Sequence, residues 1–337
     1  MLRRTASFAA TFGAVTMALM MGATSAVADP TFVPDSTDIV GVGDPTTQVL
    51  MNAAATAYNS QEPAPADLLA SYDATGSTSI VAKEGCTQIA RPLNTTQGVQ
   101  ALVADTAGCL DFARSRRVAI VGEEALSFLP YGFDGISWAV ASESNAPESL
   151  SRVELAAIYR CTARKWVDVG GTSTQLIRPY LPPRSSFDRG FFLNAIGVGA
   201  PGSCVLNGTT KNQLLQKPMY KKRNFISPLT IPEFIQLGPA PADPVNHPRL
   251  GSVETADGTP VPPTVGPAEA PIFNTAFPER FIRPVYNVVE RDETGDVPAR
   301  LDAIFGFSGY LCSDAGQAVV VQKGFGSLPQ ADGCGIG

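Results

Sequence analysis

The fold of this chain is decided by the segment I-V-G-V-G-D-P-T-T, residues 39–47. Its first part is a short apolar run interrupted by glycine, which is typical of a buried strand. Asp44 then has the residue type of a helix N-cap, and Pro45 that of a first helical residue. The segment predicts a strand that leads into a helix. The first turn of such a helix offers unpaired backbone N–H groups and a positive dipole end to an anion.

A second junction of the same kind is encoded by P-R-S-S-F-D-R-G-F-F, residues 183–192. An Arg/Ser turn here follows a strand-like stretch at 177–180 and precedes a helix-like stretch at 191–196. Two helix starts that face each other would hold phosphate or a similar oxyanion. We therefore expect the two junctions to form opposite walls of one anion pocket.

Length and composition indicate an ordinary globular protein. The chain has 337 residues, of which 44% are hydrophobic and 17% charged. This is enough for one large or two ordinary domains with a real core, and it excludes global disorder. The net charge of -6 provides no basic field for nucleic acid, so we expect no such partner and a locally built anion site.

The N-terminus has the pattern of an export signal. Arg3 and Arg4 precede an apolar run at 9–21, and A-V-A at 26–28 is a small-residue cleavage site. We expect cleavage after Ala28. The alternative, an uncleaved membrane anchor, is disfavoured because the apolar run is short for a membrane span. No cysteine follows the run, so the sequence predicts a secreted protein, outside the cell or in the cell-wall or periplasmic space, without a lipid anchor.

The cysteine count indicates disulfide bonds. An even number of cysteines in an exported chain is typical of a disulfide framework, and six allow 15 pairings. We favour sequential pairing, because each bond then closes a local loop. The alternative of a metal site is weak, since no C-x-x-C spacing occurs and the chain has one His; we expect no metal and no cofactor. The predicted pairs are Cys86 with Cys109, Cys161 with Cys204, and Cys312 with Cys334.

Strand-like and helix-like segments alternate along the chain, which predicts an α/β architecture with largely parallel sheets. The clearest helix start is S-R-V-E at 151–154, where Ser151 and Glu154 match a capping box. The region 239–271 is rich in proline and predicts a long, irregular surface insertion.

Seven segments stand in a characteristic order along the chain. They are G-V-G-D-P-T-T-Q (41–48), D-F-A-R-S-R-R (111–117), L-P-Y-G-F-D-G (129–135), L-S-R-V-E-L-A-A-I-Y (150–159), W-V-D-V-G-G (166–171), P-R-S-S-F-D-R-G-F-F (183–192) and F-I-R-P-V-Y-N-V-V (281–289). This ordered set resembles the phosphate-binding family of ABC-transporter solute-binding proteins, especially its disulfide-containing actinobacterial form.

The resemblance implies the type II periplasmic binding fold. Two α/β lobes, each a mainly parallel sheet flanked by helices, would be joined by a two-segment hinge, with the ligand in the cleft. Lobe 1 would take 29–128 with 284–337, and lobe 2 would take 129–283 with the insertion 239–271. The protein would be a monomer that binds a small oxyanion such as phosphate without catalysis and delivers it to an ABC-transporter permease.

The resemblance also implies the ligand-binding residues. Threonine and serine would donate hydroxyl and N–H bonds, arginine would grip the oxyanion through its rigid fork, and an aspartate would suit a protonated phosphate. The alternative for Thr46 and Thr47 is that they merely fill the first helical turn, and for Asp44 the role of a plain helix N-cap is favoured over that of a ligand acceptor. The candidates are Asp44, Thr46, Thr47, Ser115, Arg116, Ser186, Asp188 and Arg189.

The second turn departs from the family pattern S-G-S-G-T-R. Phe187 takes the place of a glycine that would let backbone N–H groups approach the ligand, and Asp188 takes the place of a threonine and adds negative charge. These departures motivate an alternative, a binding-fold protein whose pocket is altered or lost and which acts through its surface. A hydrolase of phosphate esters is disfavoured, because no base accompanies Ser115 or Ser186 as a nucleophile.

Overall fold

The computed structural model describes residues 29–208, 222–238 and 247–337. The signal segment 1–28, with its predicted cleavage site, and part of the proline-rich insertion lie outside the described residues. Every helix in the described ranges is too short or too polar to cross a bilayer.

The described residues form seventeen strands. They are β1 (Ile39–Gly43), β2 (Leu69–Ser71), β3 (Ser79–Ile80), β4 (Ile89–Ala90), β5 (Phe112–Ser115), β6 (Leu126–Ala141), β7 (Ser149–Ser151), β8 (Arg178–Leu181), β9 (Leu206–Asn207), β10 (Phe225–Thr230), β11 (Pro248–Leu250), β12 (Ser252–Glu254), β13 (Pro260–Val261), β14 (Thr264–Val265), β15 (Ile272–Phe273), β16 (Ile282–Glu290) and β17 (Gly326–Ser327).

Seven α-helices lie between these strands in the described ranges. They are α1 (Gln48–Asn59), α2 (Thr95–Ala104), α3 (Arg152–Tyr159), α4 (Phe187–Ile196), α5 (Ile231–Gln236), α6 (Ala299–Phe305) and α7 (Asp314–Gln322). Short 3-10 helices occur at Trp166–Val169, Glu279–Phe281, Tyr310–Cys312 and Gln330–Asp332.

Ten of the strands form one mixed sheet in the order β2-β1-β5-β16-β6-β10-β8-β9, with β11 and β17 also paired to β6. The pairs β1–β2, β1–β5, β8–β10 and β8–β9 are parallel. Strand β16 is antiparallel to both β5 and β6, and β6 is antiparallel to β10. The molecule therefore has the expected α/β architecture, with parallel pairing toward both ends of the sheet and antiparallel pairing at its centre.

The long strand β6 joins two separate sets of core residues. Two hydrophobic clusters are built from residues 39–131 and 285–334, and a third is built from residues 136–281. The chain passes between them once along β6 and once at the start of β16. We assign the first two clusters to lobe 1 and the third to lobe 2. The residue limits given for the lobes in the sequence analysis remain a prediction.

The part of the proline-rich insertion that the structure describes is more regular than expected. Strand β11 pairs with the end of β6, and β12 pairs with β7 and β13. Gly251 N donates to Trp138 O, and Trp138 Nε1 donates to Ser252 O. The expectation of an irregular surface segment is therefore wrong for residues 248–261. Pro248 and Pro260 are tolerated because β11 and β13 are short strands at sheet margins.

The observed helix starts show which local sequence signals correctly predict where a helix begins. Helix α3 begins with the predicted capping box, in which Glu154 N donates to Ser151 Oγ and Ser151 N donates to Glu154 Oε2. Helix α1 begins at Gln48 with Thr47 as its N-cap, so the prediction of a start at Pro45 is wrong. The reason is that Asp44 folds its carboxylate back onto Thr46 N, 2.8 Å away, which forms a turn ahead of the helix.

Three disulfides join Cys86 with Cys109, Cys161 with Cys204, and Cys312 with Cys334. These are the sequential pairs. Each bond lies within or against one hydrophobic cluster: the first beside a lobe 1 cluster, the second beside the lobe 2 cluster and the third inside the other lobe 1 cluster. None of these three bonds links one lobe to the other.

Gly190 is a weak point of α4 that can be tested. It lies in the helix interior, and a Cβ atom built there has nothing within 4 Å. Glycine costs a helix about 0.5–1 kcal/mol relative to alanine, so we expect Gly190→Ala to raise the free energy of unfolding by that amount. Chemical denaturation measures it. A loss of stability would show that the solvent side of α4 is covered by a neighbour.

Candidate functional site

Two strand ends bring the first half of the site together. Gly43 of β1 is paired in register with Arg114 of β5, so the residues that leave these strands are neighbours. Gly43 has φ +122° and a Cβ built there would lie 2.7 Å from Arg114 O, which explains the glycine. Asp44 N donates to that same carbonyl at 3.1 Å. The two junction residues Asp44 and Arg116 therefore emerge side by side.

The second half of the site comes from the central strands and from α4. Asp134 of β6 is paired in register with Arg283 of β16, and Asp188 stands in the first turn of α4. We call the five residues Asp44, Arg116, Asp134, Asp188 and Arg283 the central charge cluster. It contains three carboxylates and two guanidinium groups.

Arg116 contacts all three carboxylates of the central charge cluster. Its Nε lies 2.9 Å from Asp44 Oδ1, and its Nη1 lies 3.2 Å from Asp134 Oδ2 and 2.5 Å from Asp188 Oδ1. The Arg116 side chain is 2% exposed. Burial alone lowers the pKa of Arg116, but the carboxylates of Asp188, Asp44 and Asp134 outweigh it and raise that pKa well above the usual value. The guanidinium stays charged.

Arg283 shares two of these carboxylates. Its Nη2 lies 2.7 Å from Asp134 Oδ2 and 3.1 Å from Asp188 Oδ1. Its guanidinium also lies over the Phe191 ring, 4.1 Å from the centroid, a cation–π contact that fixes its orientation. Both arginines therefore approach the same Asp188 oxygen.

Asp44 is held by three groups at once. Besides Arg116, its Oδ1 accepts from Thr46 N at 2.8 Å and its Oδ2 accepts from Thr95 Oγ1 at 3.0 Å. Thr47 is buried, and its hydroxyl donates to Asp44 O at 3.4 Å. The threonines of the first junction thus bind Asp44 itself, which acts as a turn-forming and arginine-binding residue rather than as a helix N-cap.

The basic run at 114–117 is not a solvated turn. Arg114 is fully buried and donates from Nε to Asp44 O and from Nη1 to Ser71 Oγ. Burial lowers the pKa of Arg114 to about 10. Arg117 pairs with Glu123 at 2.6 Å. Ser115 is also buried, but its Oγ donates to Arg117 O at 2.8 Å and lies outside the central charge cluster.

In the second junction, the aspartate rather than the arginine joins the central charge cluster. Arg189 Nη1 donates to Pro182 O at 2.9 Å and to Asn207 Oδ1 at 2.7 Å, so its guanidinium braces lobe 2 internally. Ser186 is the N-cap residue of α4, and its buried Oγ has no hydrogen-bond partner among the described residues. The two junctions do meet, but through Arg116 and Asp188.

Asp134 and Arg283 are members of the central charge cluster that the sequence analysis missed. Both stand in segments quoted there, the D of F-D-G and the R of F-I-R-P, yet each was taken only as part of a pattern. Asp134 is fully buried, and its Oδ1 has no hydrogen-bond partner within the described ranges. A charged residue in the middle of an otherwise apolar strand was the available signal.

A groove of about 1230 Å³ lies elsewhere, lined mostly by residues of lobe 1 and, from lobe 2, by Glu233. It is bounded by α2, by the β3–β4 hairpin and by the start of α1, and Arg91 and Glu233 contribute to its wall. The central charge cluster does not line it. No group of three or more His, Cys, Asp or Glu suited to a metal ion occurs in the described part of the chain.

The fold is shared with solved phosphate-binding proteins. An ABC-type phosphate transport receptor from Vibrio cholerae matches with a TM-score of 0.55 at 18% identity, over 86% of this chain and 99% of its own. A high-affinity periplasmic phosphate-binding protein solved with phosphate matches with a TM-score of 0.54 at 17% identity, over 87% of this chain and 91% of its own.

A third structure shows the same likeness. The ancestral soluble variant of the human phosphate binding protein matches with a TM-score of 0.52 at 14% identity, over 87% of this chain and 91% of its own. The sequence itself matches no protein-family model and no curated protein. The likeness therefore establishes the two-lobe periplasmic-binding-protein-like fold of phosphate receptors over most of the described chain.

Proposed function

We propose that this chain is an exported solute-binding protein that takes phosphate or a related small oxyanion between its two lobes, with no bond broken. The observation that carries the proposal is the pair of guanidinium groups of Arg116 and Arg283, which converge where segments of both lobes meet. Buried guanidinium groups in fixed positions match oxyanions through charge-assisted, bidentate hydrogen bonds. The fold shared with phosphate receptors supports this assignment.

Two buried polar atoms add support. Ser186 Oγ and Asp134 Oδ1 have no hydrogen-bond partner among the described residues. A hydroxyl of this kind donates to an anionic oxygen, while a carboxylate oxygen accepts from a protonated one. A singly or doubly protonated phosphate offers both kinds of atom. The candidate ligand set is therefore Arg116, Arg283, Ser186 and Asp134. Asp44, Thr46 and Thr47 extend this set, because Asp44 pairs with Arg116 and both threonines donate to Asp44.

The expected role is delivery rather than chemistry. A solute-binding protein of this fold would hand its ligand to an ABC-transporter permease and would work as a monomer. Export and cleavage after Ala28, and the absence of a lipid anchor, belong to the same proposal. They rest on the pattern of residues 1–28.

Calorimetric titration of the mature chain, residues 29–337, with phosphate tests this function. We expect saturable binding with a dissociation constant of about 1 mM or lower, and a rise in the thermal unfolding midpoint at saturating phosphate. Sulfate, which lacks a proton at neutral pH, serves as the comparison and should bind less tightly. The absence of both heat and thermal shift at millimolar phosphate would exclude a phosphate receptor.

One observation favours a second candidate, a binding-fold protein with an altered pocket that acts through its surface. The Asp188 carboxylate already occupies donors of both arginines. In that case neither phosphate nor sulfate binds to the protein as it stands.

A further inference from the structure

The Asp188 carboxylate makes the contacts that an incoming oxyanion would need. Its Oδ1 lies 2.5 Å from Nη1 of Arg116 and 3.1 Å from Nη2 of Arg283. Asp188 is 5% exposed, so water and salt screen these contacts weakly. A carboxylate and a phosphate use the same fork of a guanidinium group. A side chain of the protein therefore stands in for a ligand at both arginines.

The charge of the cluster makes the two alternatives exclusive. With Asp188 in place, the cluster as defined holds three carboxylates and two guanidinium groups, the nearby buried Arg114 being shared between Asp44 and Asp73, and an added oxyanion would bring further negative charge into a buried region. Like charges at short range and low hydration repel strongly. Without the Asp188 carboxylate, the cluster keeps Asp44 and Asp134 beside Arg116 and Arg283, and one oxyanion can take the vacated donors. An oxyanion and the Asp188 carboxylate hence compete for these donors.

The position of Asp188 on α4 supports the same conclusion. It stands in the first turn of a ten-residue helix, where the helix dipole favours negative charge. The buried Ser186 hydroxyl, without a partner among the described residues, lies at the N-cap of the same helix. This helix start is the wall that the sequence assigns to an oxyanion, and a carboxylate of the chain lies there.

We infer that Asp188 is a built-in competitor that sets the affinity and selectivity of the oxyanion site; this inference rests on the proposed function. The carboxylate holds Arg116 and Arg283 until an oxyanion displaces it. A singly charged carboxylate ligand would bind the two arginines no better than Asp188 does, so it does not displace Asp188. Phosphate carries more charge and more acceptor atoms, so it can displace Asp188. Because Arg116 follows β5 of lobe 1 and Asp188 belongs to α4 of lobe 2, the same contact also draws the lobes together.

Phosphate affinity in charge-removing variants tests the competitor role. Asp188→Asn keeps the shape of the side chain, and Asp188→Ser shortens it and restores a hydroxyl. We expect the dissociation constant for phosphate to fall by about tenfold or more in both, which corresponds to about 1.4 kcal/mol. The matched control is Asp257→Asn, which removes one carboxylate from an exposed turn of lobe 2 and should leave the affinity unchanged.

A rescue experiment reports on the same donors without phosphate. Asp188→Ala leaves a space of about one carboxylate beside Arg116 and Arg283. We expect acetate at about 50–100 mM to raise the thermal unfolding midpoint of Asp188→Ala. This concentration exceeds the dissociation constant of about 10 mM that is expected for a weak ligand. Acetate should leave that of the unsubstituted protein unchanged, because Asp188 excludes it.

The outcomes separate this inference from the proposed function. Phosphate binding that is unchanged or weaker in Asp188→Asn and Asp188→Ser would overturn the competitor role and leave the function standing. If no form binds phosphate or sulfate while acetate still stabilises Asp188→Ala, the proposed function fails and the carboxylate's occupation of an anion site stands. If no form binds phosphate or sulfate and acetate does not stabilise Asp188→Ala, both the proposed function and the competitor role are overturned.

Discussion

We expect Arg116→Ala to lower the free energy of unfolding by about 3–5 kcal/mol and to weaken the proposed phosphate binding by about a hundredfold or more. The first effect is expected because Arg116 contacts three carboxylates, those of Asp44, Asp134 and Asp188. Removing one partner of a buried ion pair leaves uncompensated buried charge, which costs about this much. The second effect follows because a buried charged partner of a ligand contributes about 2–5 kcal/mol to binding.

The matched control is Arg223→Ala. Arg223 also forms an ion pair, with Glu143 at 2.6 Å, but both side chains are at least half exposed. Exposed ion pairs contribute about 0–1 kcal/mol, so this variant should remain near the unsubstituted protein. Arg116→Lys keeps the charge and loses the fork, and we expect an intermediate stability. Urea denaturation and calorimetry measure both quantities. A stability loss for Arg116→Ala as small as that of Arg223→Ala contradicts the buried network described above.

Gly43→Ala destabilises the protein by about 3 kcal/mol or more. The backbone of Gly43 has φ +122°, and a Cβ atom built there would lie 2.7 Å from Arg114 O and 3.1 Å from Arg114 N. Strain at such a φ and overpacking each cost about 1–3 kcal/mol. The clash is with backbone, which cannot rotate away. Relief requires β1 and β5 to separate at the point where Asp44 and Arg116 leave the sheet.

Gly85→Ala separates the two causes. Gly85 has φ +80°, but a Cβ built there has nothing within 4 Å. We expect this control to lose about 1 kcal/mol from backbone strain alone. The difference between the two variants then measures the contact with Arg114 together with the greater backbone strain at φ +122°. Equal losses would show that β1 and β5 tolerate a side chain between them.

Local signals predicted much of the fold. The capping box of α3 was predicted at its observed position, because both of its side chains are read within one four-residue segment. The two-lobe architecture was implied by the family resemblance that the ordered segments carry. The start of α1 was predicted three residues early, because the carboxylate of Asp44 is directed by Arg116 and Thr95, which are distant in sequence.

The composition of the site was less predictable. Asp188 and Arg189 are adjacent, and successive side chains on a helix point about 100° apart. Only one of the two can therefore face Arg116, and the rotation of α4 about its axis decides which one. The sequence of the turn alone does not predict that rotation. Asp134 and Arg283 meet through the register of β6 and β16 across 149 residues of sequence, a relationship that no local pattern contains.

The placement of the disulfides has a consequence for how the molecule resists mechanical load. None of the three braces one half against the other. Disulfide formation therefore stabilises each lobe against unfolding, yet adds nothing to the force needed to separate the two lobes. The stability of each lobe and the strength of the contacts between the lobes therefore depend on different bonds, so either property can change in evolution without altering the other.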